Sequence, residues 1–418
     1  MTNDRRALRS VALQFFANGM VYGTFIPRLP EIRDRVDISV GVLGVVLMTG
    51  SVFGLLGSLV ASRVNMRFGT KRVLIVGGIL SVGALPLVGW ATTPVVLVAG
   101  LAIVLFFDVF IDVGMNIQGS ALSARRHTPV MNRLHGLWSL GSVTGGTIAV
   151  IAGRADVAPP WHLTIIAIVL LGALAVVAPG LLPTDEPIAD EPLAERVVIG
   201  DATTDNVVLV NVAADEIAAD DVAVGESTQP AAAGESGGRG RPLMIALAVA
   251  GFAAMTLEIG NGDWAAFRLG DDLDAAAGVA SAAFVAFTVG MTIGRFGGDF
   301  VLVRIGGRRL AQVAAVVAGV ASAVATLVPV TAAAFIGFVV AGLGVSVLFP
   351  GLYDAAARTP NGSGFASMLV GQRSATIVVP LAIGALADTA ALNIGQAMAI
   401  MLIPAAVASF VATTALSR

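Results

Sequence analysis

The sequence predicts an all-α membrane protein with twelve transmembrane helices in two six-helix bundles. Three observations carry that reading. The 418 residues are 56% hydrophobic and only 13% charged, with a mean hydropathy of +0.87, whereas soluble domains carry about 25% charged residues. Apolar runs long enough to cross a bilayer recur twelve times. A basic motif also occurs twice in one direction: RFGTKRVL at 67–74 and RIGGRRLA at 304–311 pair Arg67, Gly69 and Arg72 with Arg304, Gly306 and Arg309. Each copy follows the second span of its set, which suits two halves related by an axis along the membrane normal.

The N-terminus MTNDRRALRS is basic and runs into the first apolar stretch with no A-x-A cleavage site, so it reads as an uncleaved first helix. Span 1 covers about 9–29 and carries Gln14, Asn18 and Tyr22 at i, i+4 and i+8, a polar stripe on an apolar helix. Span 2, about 39–62, holds Gly50, Gly54 and Gly57, which suit close helix packing. Spans 3 to 6 follow at about 72–92, 94–120, 133–153 and 162–182, and in span 5 Gly141 and Gly145 form a G-x-x-x-G step read as close packing.

The domain division places an N-terminal bundle at 1–183, an acidic linker at 184–241 and a C-terminal bundle at 242–418. The linker is rich in Ala, Asp, Glu, Gly and Pro and reads as disordered, a passive tether. Its VVLVNV at 207–212 is too short to span. Spans 7 to 12 are expected at about 242–267, 276–298, 308–328, 331–354, 364–387 and 392–415. Arg and Lys concentrate at the N-terminus and in the even-numbered loops, which places those loops and both termini in the cytoplasm of an inner, or plasma, membrane protein.

The chemistry concentrates in VLFFDVFIDVGMNIQG, 104–119. At about 100° per residue, Asp108, Asp112 and Asn116 fall near 0°, 40° and 80°, on one face. A carboxylate at the bilayer centre costs at least about 2.5–3.5 kcal/mol, so it faces a cavity or a partner. Two acids one turn apart cannot both ionise cheaply, so the pair is expected to hold a proton that it takes from one side and releases to the other. Asp112 and Asp108 are therefore the proton-coupling candidates; the alternative is that both bond backbone or Arg groups for packing.

Glu258, with Asn261 at i+3 and Trp264 at i+6, is a candidate substrate clamp in span 7, against the alternative that Glu258 partners Arg268. Asn116, Gln372 and the stripe Gln14, Asn18 and Tyr22 are candidate solute contacts, although such groups also serve as interhelical glue. His135 and Trp138 lie one turn apart in span 5; His135 is assigned to the gate, with packing as its alternative. Arg373 in span 11 needs an anion: Asp354, Asp299 or a substrate carboxylate. A pair with an acid makes Arg373 a gate residue beside Asp354, whereas an Arg373 that faces the cavity makes an anionic substrate attractive. Arg67, Arg72, Asp299, Arg304 and Arg309 complete the expected gate. No metal-ligand spacing, phosphate-binding glycine loop or nucleophile–base pair stands out, so no cofactor, metal, nucleic acid or enzymatic chemistry is expected.

Twelve spans, the six-plus-six repeat and R-x-G-x-[KR]-R in loops 2–3 and 8–9 resemble the major facilitator superfamily. The family's loop motif places an acid just before the first Arg; Met66 stands there in the first half and Val303 in the second, with Gly298-Asp299 upstream. DVGMNIQG at 112–119, HGLWSLGS at 135–142, LEIGNGDWAAFRL at 257–269 and SVLFPGLYD at 346–354 resemble the fucose-permease branch and its uncharacterised relatives. The resemblance implies a proton-coupled symporter, with Asp112 as the fourth-span acid. The solute is expected to be small, polar and sugar-like, and the protein a monomer. Span 1 here lacks the carboxylate of the fucose permease, so fucose itself is not implied. A proton-antiporting drug or metabolite exporter is the alternative, and a non-transporting membrane sensor is a third.

Overall fold

The computed structural model describes residues 2–126, 130–183, 240–357, 359, 363–388 and 392–415. Within them the chain is helical: α1 (Thr2–Phe25), α2 (Leu29–Val36), α3 (Val40–Phe68), α4 (Thr70–Gly83), α5 (Leu85–Gly89), α6 (Pro94–Arg126), α7 (Met131–Arg154) and α8 (Pro159–Val177) in the first half. The second half contains α9 (Gly240–Asp263), α10 (Ala265–Asp272), α11 (Ala277–Ile305), α12 (Gly307–Leu327), α13 (Thr331–Val345), α14 (Leu348–Ala357), α15 (Ser363–Ala387) and α16 (Ile394–Ala415). Ten spans meet the length and composition needed to cross a bilayer, and α1 with the α13–α14 pair completes the arrangement of twelve. The linker reading lies outside the described residues, as do the side chains of Asp299 and Asp354.

Two spans expected to be continuous are broken, for the same reason. Span 3 divides at Ala84 and span 10 at Ser346 and Val347. Pro86 and Pro350 follow these breaks, and a proline has no N–H to give the carbonyl four residues back. The tail of span 1 is likewise a 3-10 turn, Ile26–Arg28, where Pro27 stands.

The repeat is visible in the backbone. Gly69 and Gly306 join the second and third spans of their halves with φ of 81° and 79°, a left-handed region that L side chains avoid. Within each half the first and fifth spans meet at glycines. A Cβ at Gly141 or Gly145 would strike the Phe16 or Met20 carbonyl of α1, and one at Gly251 would strike the Met368 carbonyl of α15.

The halves touch each other along α3·α15 and α7·α11. Three polar links between them lie at the face that carries the α1–α3 connection. Arg33 pairs with Asp271, Ser39 Oγ donates to Asp388 Oδ2 over 2.7 Å, and Ser281 Oγ donates to the Pro27 carbonyl over 2.8 Å. At the same face each half buries one arginine. Arg28 bonds Glu31 and the Val157 carbonyl, each at 2.7 Å. Arg268 bonds Asp272 at 2.9 Å and the Val328 carbonyl at 3.1 Å. Asp272 in turn accepts the N–H groups of Ile394 and Gly395 at the start of α16.

Candidate functional site

The site is built from helices of both halves, on the side away from that face. On α6 the two acids diverge. Asp108 is buried and fully engaged: Asn18 Nδ2 donates to its Oδ1 over 2.7 Å and the Tyr22 hydroxyl to its Oδ2 over 2.8 Å. Trp138 Nε1 donates to Asn18 Oδ1 over 2.7 Å, so one chain of bonds ties α7, α1 and α6. Asp112, one turn on, is exposed although it sits mid-helix. Asn116 Nδ2 donates to its Oδ1 over 3.0 Å and to its carbonyl over 2.9 Å, which orients the carboxylate and leaves Oδ2 without a hydrogen bond among the described residues.

Arg373 faces this pair from α15. Pro380 and Gly384, at i+7 and i+11, share its helix face, and both pack against Gly44 of α3 in the other half. Arg373 is exposed on the helix face that turns toward the other half. It lies within electrostatic reach of Asp108, Asp112, Tyr22 and Tyr353. Among the described residues its guanidinium makes no hydrogen bond or ion pair. Gln372 is buried beside it, and its side chain interacts with the Tyr353 hydroxyl.

Glu258 is half-buried, and its partner is Arg295 of α11, with Nη2 at 3.8 Å from Oε1, whereas Arg268 is taken by Asp272. The alternative pairing expected from the sequence is thus corrected. Arg295 was not singled out in the sequence, yet its Nη1 also donates to Ser139 Oγ of the other half over 2.7 Å. His135 is exposed on the same wall, edge-on to Phe15 at 5.3 Å and within electrostatic reach of Arg295.

Other expected contacts lie elsewhere. Asn261 is fully buried and bonds Ser322 Oγ of α12 over 2.9 Å, inside the C-terminal bundle. Trp264 is also fully buried, against Phe267. Gln14 is buried in α1, near the stripe but outside the Asp108 network. Arg67, Arg72, Arg304 and Arg309 are exposed with no ion pair among the described residues; Arg67 and Arg304 stack on Phe68 and Phe300.

This geometry offers an exposed carboxylate held in one orientation, a guanidinium with no ion-pair partner among the described residues and an acid–arginine pair alongside. It has the parts of a polar site with a protonatable group.

The chain matches the family described as Major Facilitator Superfamily over residues 11–380. It is 25% identical over 388 residues to the membrane protein MosC of Rhizobium meliloti, covering 92% of this chain and 84% of that one. It is 23% identical over 391 residues to the uncharacterized transporter y4wD of Sinorhizobium fredii, covering 92% of each. Among solved structures it is similar to a mutant of the nucleoside transporter NupG, with a TM-score of 0.71, 14% identity and 98% of both chains covered. It is also similar to the fucose:proton symporter FucP of E. coli, with a TM-score of 0.57, 12% identity and 98% of both chains covered. Both likenesses are of fold.

Proposed function

The chain belongs to the major facilitator superfamily, a family of secondary transporters, and we propose that it is a proton-coupled importer of a small polar, sugar-like solute. The single observation that carries this reading is Asp112: a carboxylate exposed mid-span, oriented by Asn116, one turn from Asp108 and facing Arg373 across the cleft. An intramembrane acid in that setting marks an ion pathway. The proton binds Asp112 when the cleft opens to one side and leaves when it opens to the other. Alternating access then amounts to rocking of two bundles about this level. The Arg33–Asp271 and Ser39–Asp388 links hold one side shut. With both termini in the cytoplasm of the cell's inner membrane, the closed face is the outer one.

Reconstituted proteoliposomes with an imposed pH gradient test this, using a panel of labelled sugars, polyols and sugar acids. The wild-type protein accumulates its solute uphill; Asp112→Asn loses accumulation and retains solute–solute exchange. Undiminished uphill accumulation by Asp112→Asn would overturn the proton role.

A further inference from the structure

Proton coupling through Asp112 leaves the Arg373 guanidinium without a direct partner among the described residues. It is exposed near the middle of α15, on the face shared with Pro380 and Gly384, which touch the opposite half. A guanidinium offers five N–H donors in a planar fork shaped for a carboxylate, and it stays charged at any physiological pH. Here those donors have no acceptor among the described residues. Two acids lie within its electrostatic reach, but neither stands at ion-pair distance. Asp108 is satisfied by Asn18 and Tyr22, and Asp112 is held by Asn116.

Resting on the transport reading above, we propose that the solute is a hydroxylated carboxylate of the sugar-acid class, with its carboxylate seated on Arg373. The groups beside Arg373 suit the rest of such a molecule. The Gln372 amide and the Tyr353 hydroxyl present donors and acceptors for hydroxyls.

The charges around the site explain why such a solute brings a proton with it. Asp112 is faced by Asp108 on its own helix, Tyr22 on α1, Tyr353 on α14 and Arg373 on α15. Glu258 and Arg295 offset each other. In the empty cleft Arg373 is the countercharge for the α6 acids. A bound carboxylate claims that charge and leaves Asp112 uncompensated unless Asp112 carries a proton. Solute and proton therefore load together, and by reciprocity each tightens the other.

The test is a thermal-shift titration of the full-length protein in detergent with matched probes: D-gluconate against D-glucitol, D-galacturonate against D-galactose, and glucose 6-phosphate. The acids raise the melting temperature more than their neutral partners. Their half-saturating concentration rises on the order of tenfold or more in Arg373→Gln, and less in Arg373→Lys, which keeps the charge but not the fork. The acid-induced shift weakens as pH rises in the wild type and becomes insensitive to pH in Asp112→Asn. Equal or larger shifts from the neutral partners overturn the carboxylate while leaving the sugar-transport reading in place. A larger shift from the phosphate, no shift from any probe, or an acid shift that survives Arg373→Gln also overturns it. The proton role stands or falls separately, on uphill accumulation by Asp112→Asn.

Discussion

Trp138 donates its indole N–H to Asn18 Oδ1 over 2.7 Å, and that bond fixes which way the Asn18 amide points. An indole nitrogen is a donor only, so the oxygen of Asn18 must face it. The amide nitrogen is then left to donate to Asp108 Oδ1. Asp108 is thereby held as an acceptor by a residue on a third helix. It acts as the anchor behind Asp112 and not as a second exposed acid.

Removing that anchor costs stability. Asn18→Ala strips Asp108 of one donor and Trp138 of its acceptor, which amounts to about 1–3 kcal/mol for a buried polar group left unsatisfied. Gln14→Ala, one turn earlier and outside the network, costs less. Thermal unfolding of the two variants in detergent checks this, and equal losses would contradict the network.

The closed face should loosen when its cross-half pair is cut. Arg33 and Asp271 are partly exposed, so their pairing contributes about 1 kcal/mol, a roughly fivefold change in the population of the open face. The natural chain contains no cysteine, so Ser281→Cys places a single thiol beside Pro27 at the shut interface. A membrane-impermeant maleimide should label it several-fold faster when Arg33→Ala is added. Unchanged labelling would mean that the pair does not hold the face.

Glu31 supplies a pH signature outside the spans. Burial raises its carboxyl above the ordinary value of 4.5, and the opposing charge and hydrogen bond of Arg28 do not cancel that. A group raised on folding contributes stability that is fully present below its unfolded pKa and is lost as pH climbs through the raised value. The melting temperature of the wild type minus that of Glu31→Gln should therefore fall as pH rises from 4 toward neutrality. A difference that grows with pH would reverse the sign and refute the assignment.

Most of the fold was legible in the sequence because bilayer length and loop charge act locally along the chain. The repeat was legible for a stronger reason. Gly69 and Gly306 occupy matching places in two short motifs, and both adopt positive φ. The α6 ladder was also readable, since steps of four keep Asp108, Asp112 and Asn116 within a narrow arc. The same arithmetic explains what went astray in α9. Steps of three retreat by about 60° each, so Asn261 and Trp264 rotate away from Glu258 and into the bundle. Arg295 was hidden differently: its partners Glu258 and Ser139 lie on other helices, and only the packing of α7, α9 and α11 brings them together.

The seam between the halves is floored with glycine on both sides. A Cβ at Gly44 would sit 3.2 Å from the Gly384 Cα, and one at Gly153 would sit 3.0 Å from the Gly278 Cα. Bare backbone meets bare backbone at these two points, whereas elsewhere along the seam side chains fill the space, as the Phe296 ring does against Gly136 and the Phe284 ring against Gly146. At Gly44 and Gly153 a single added methyl is therefore a wedge with no flexible side chain to push aside, so one atom's worth of volume there prises the halves apart.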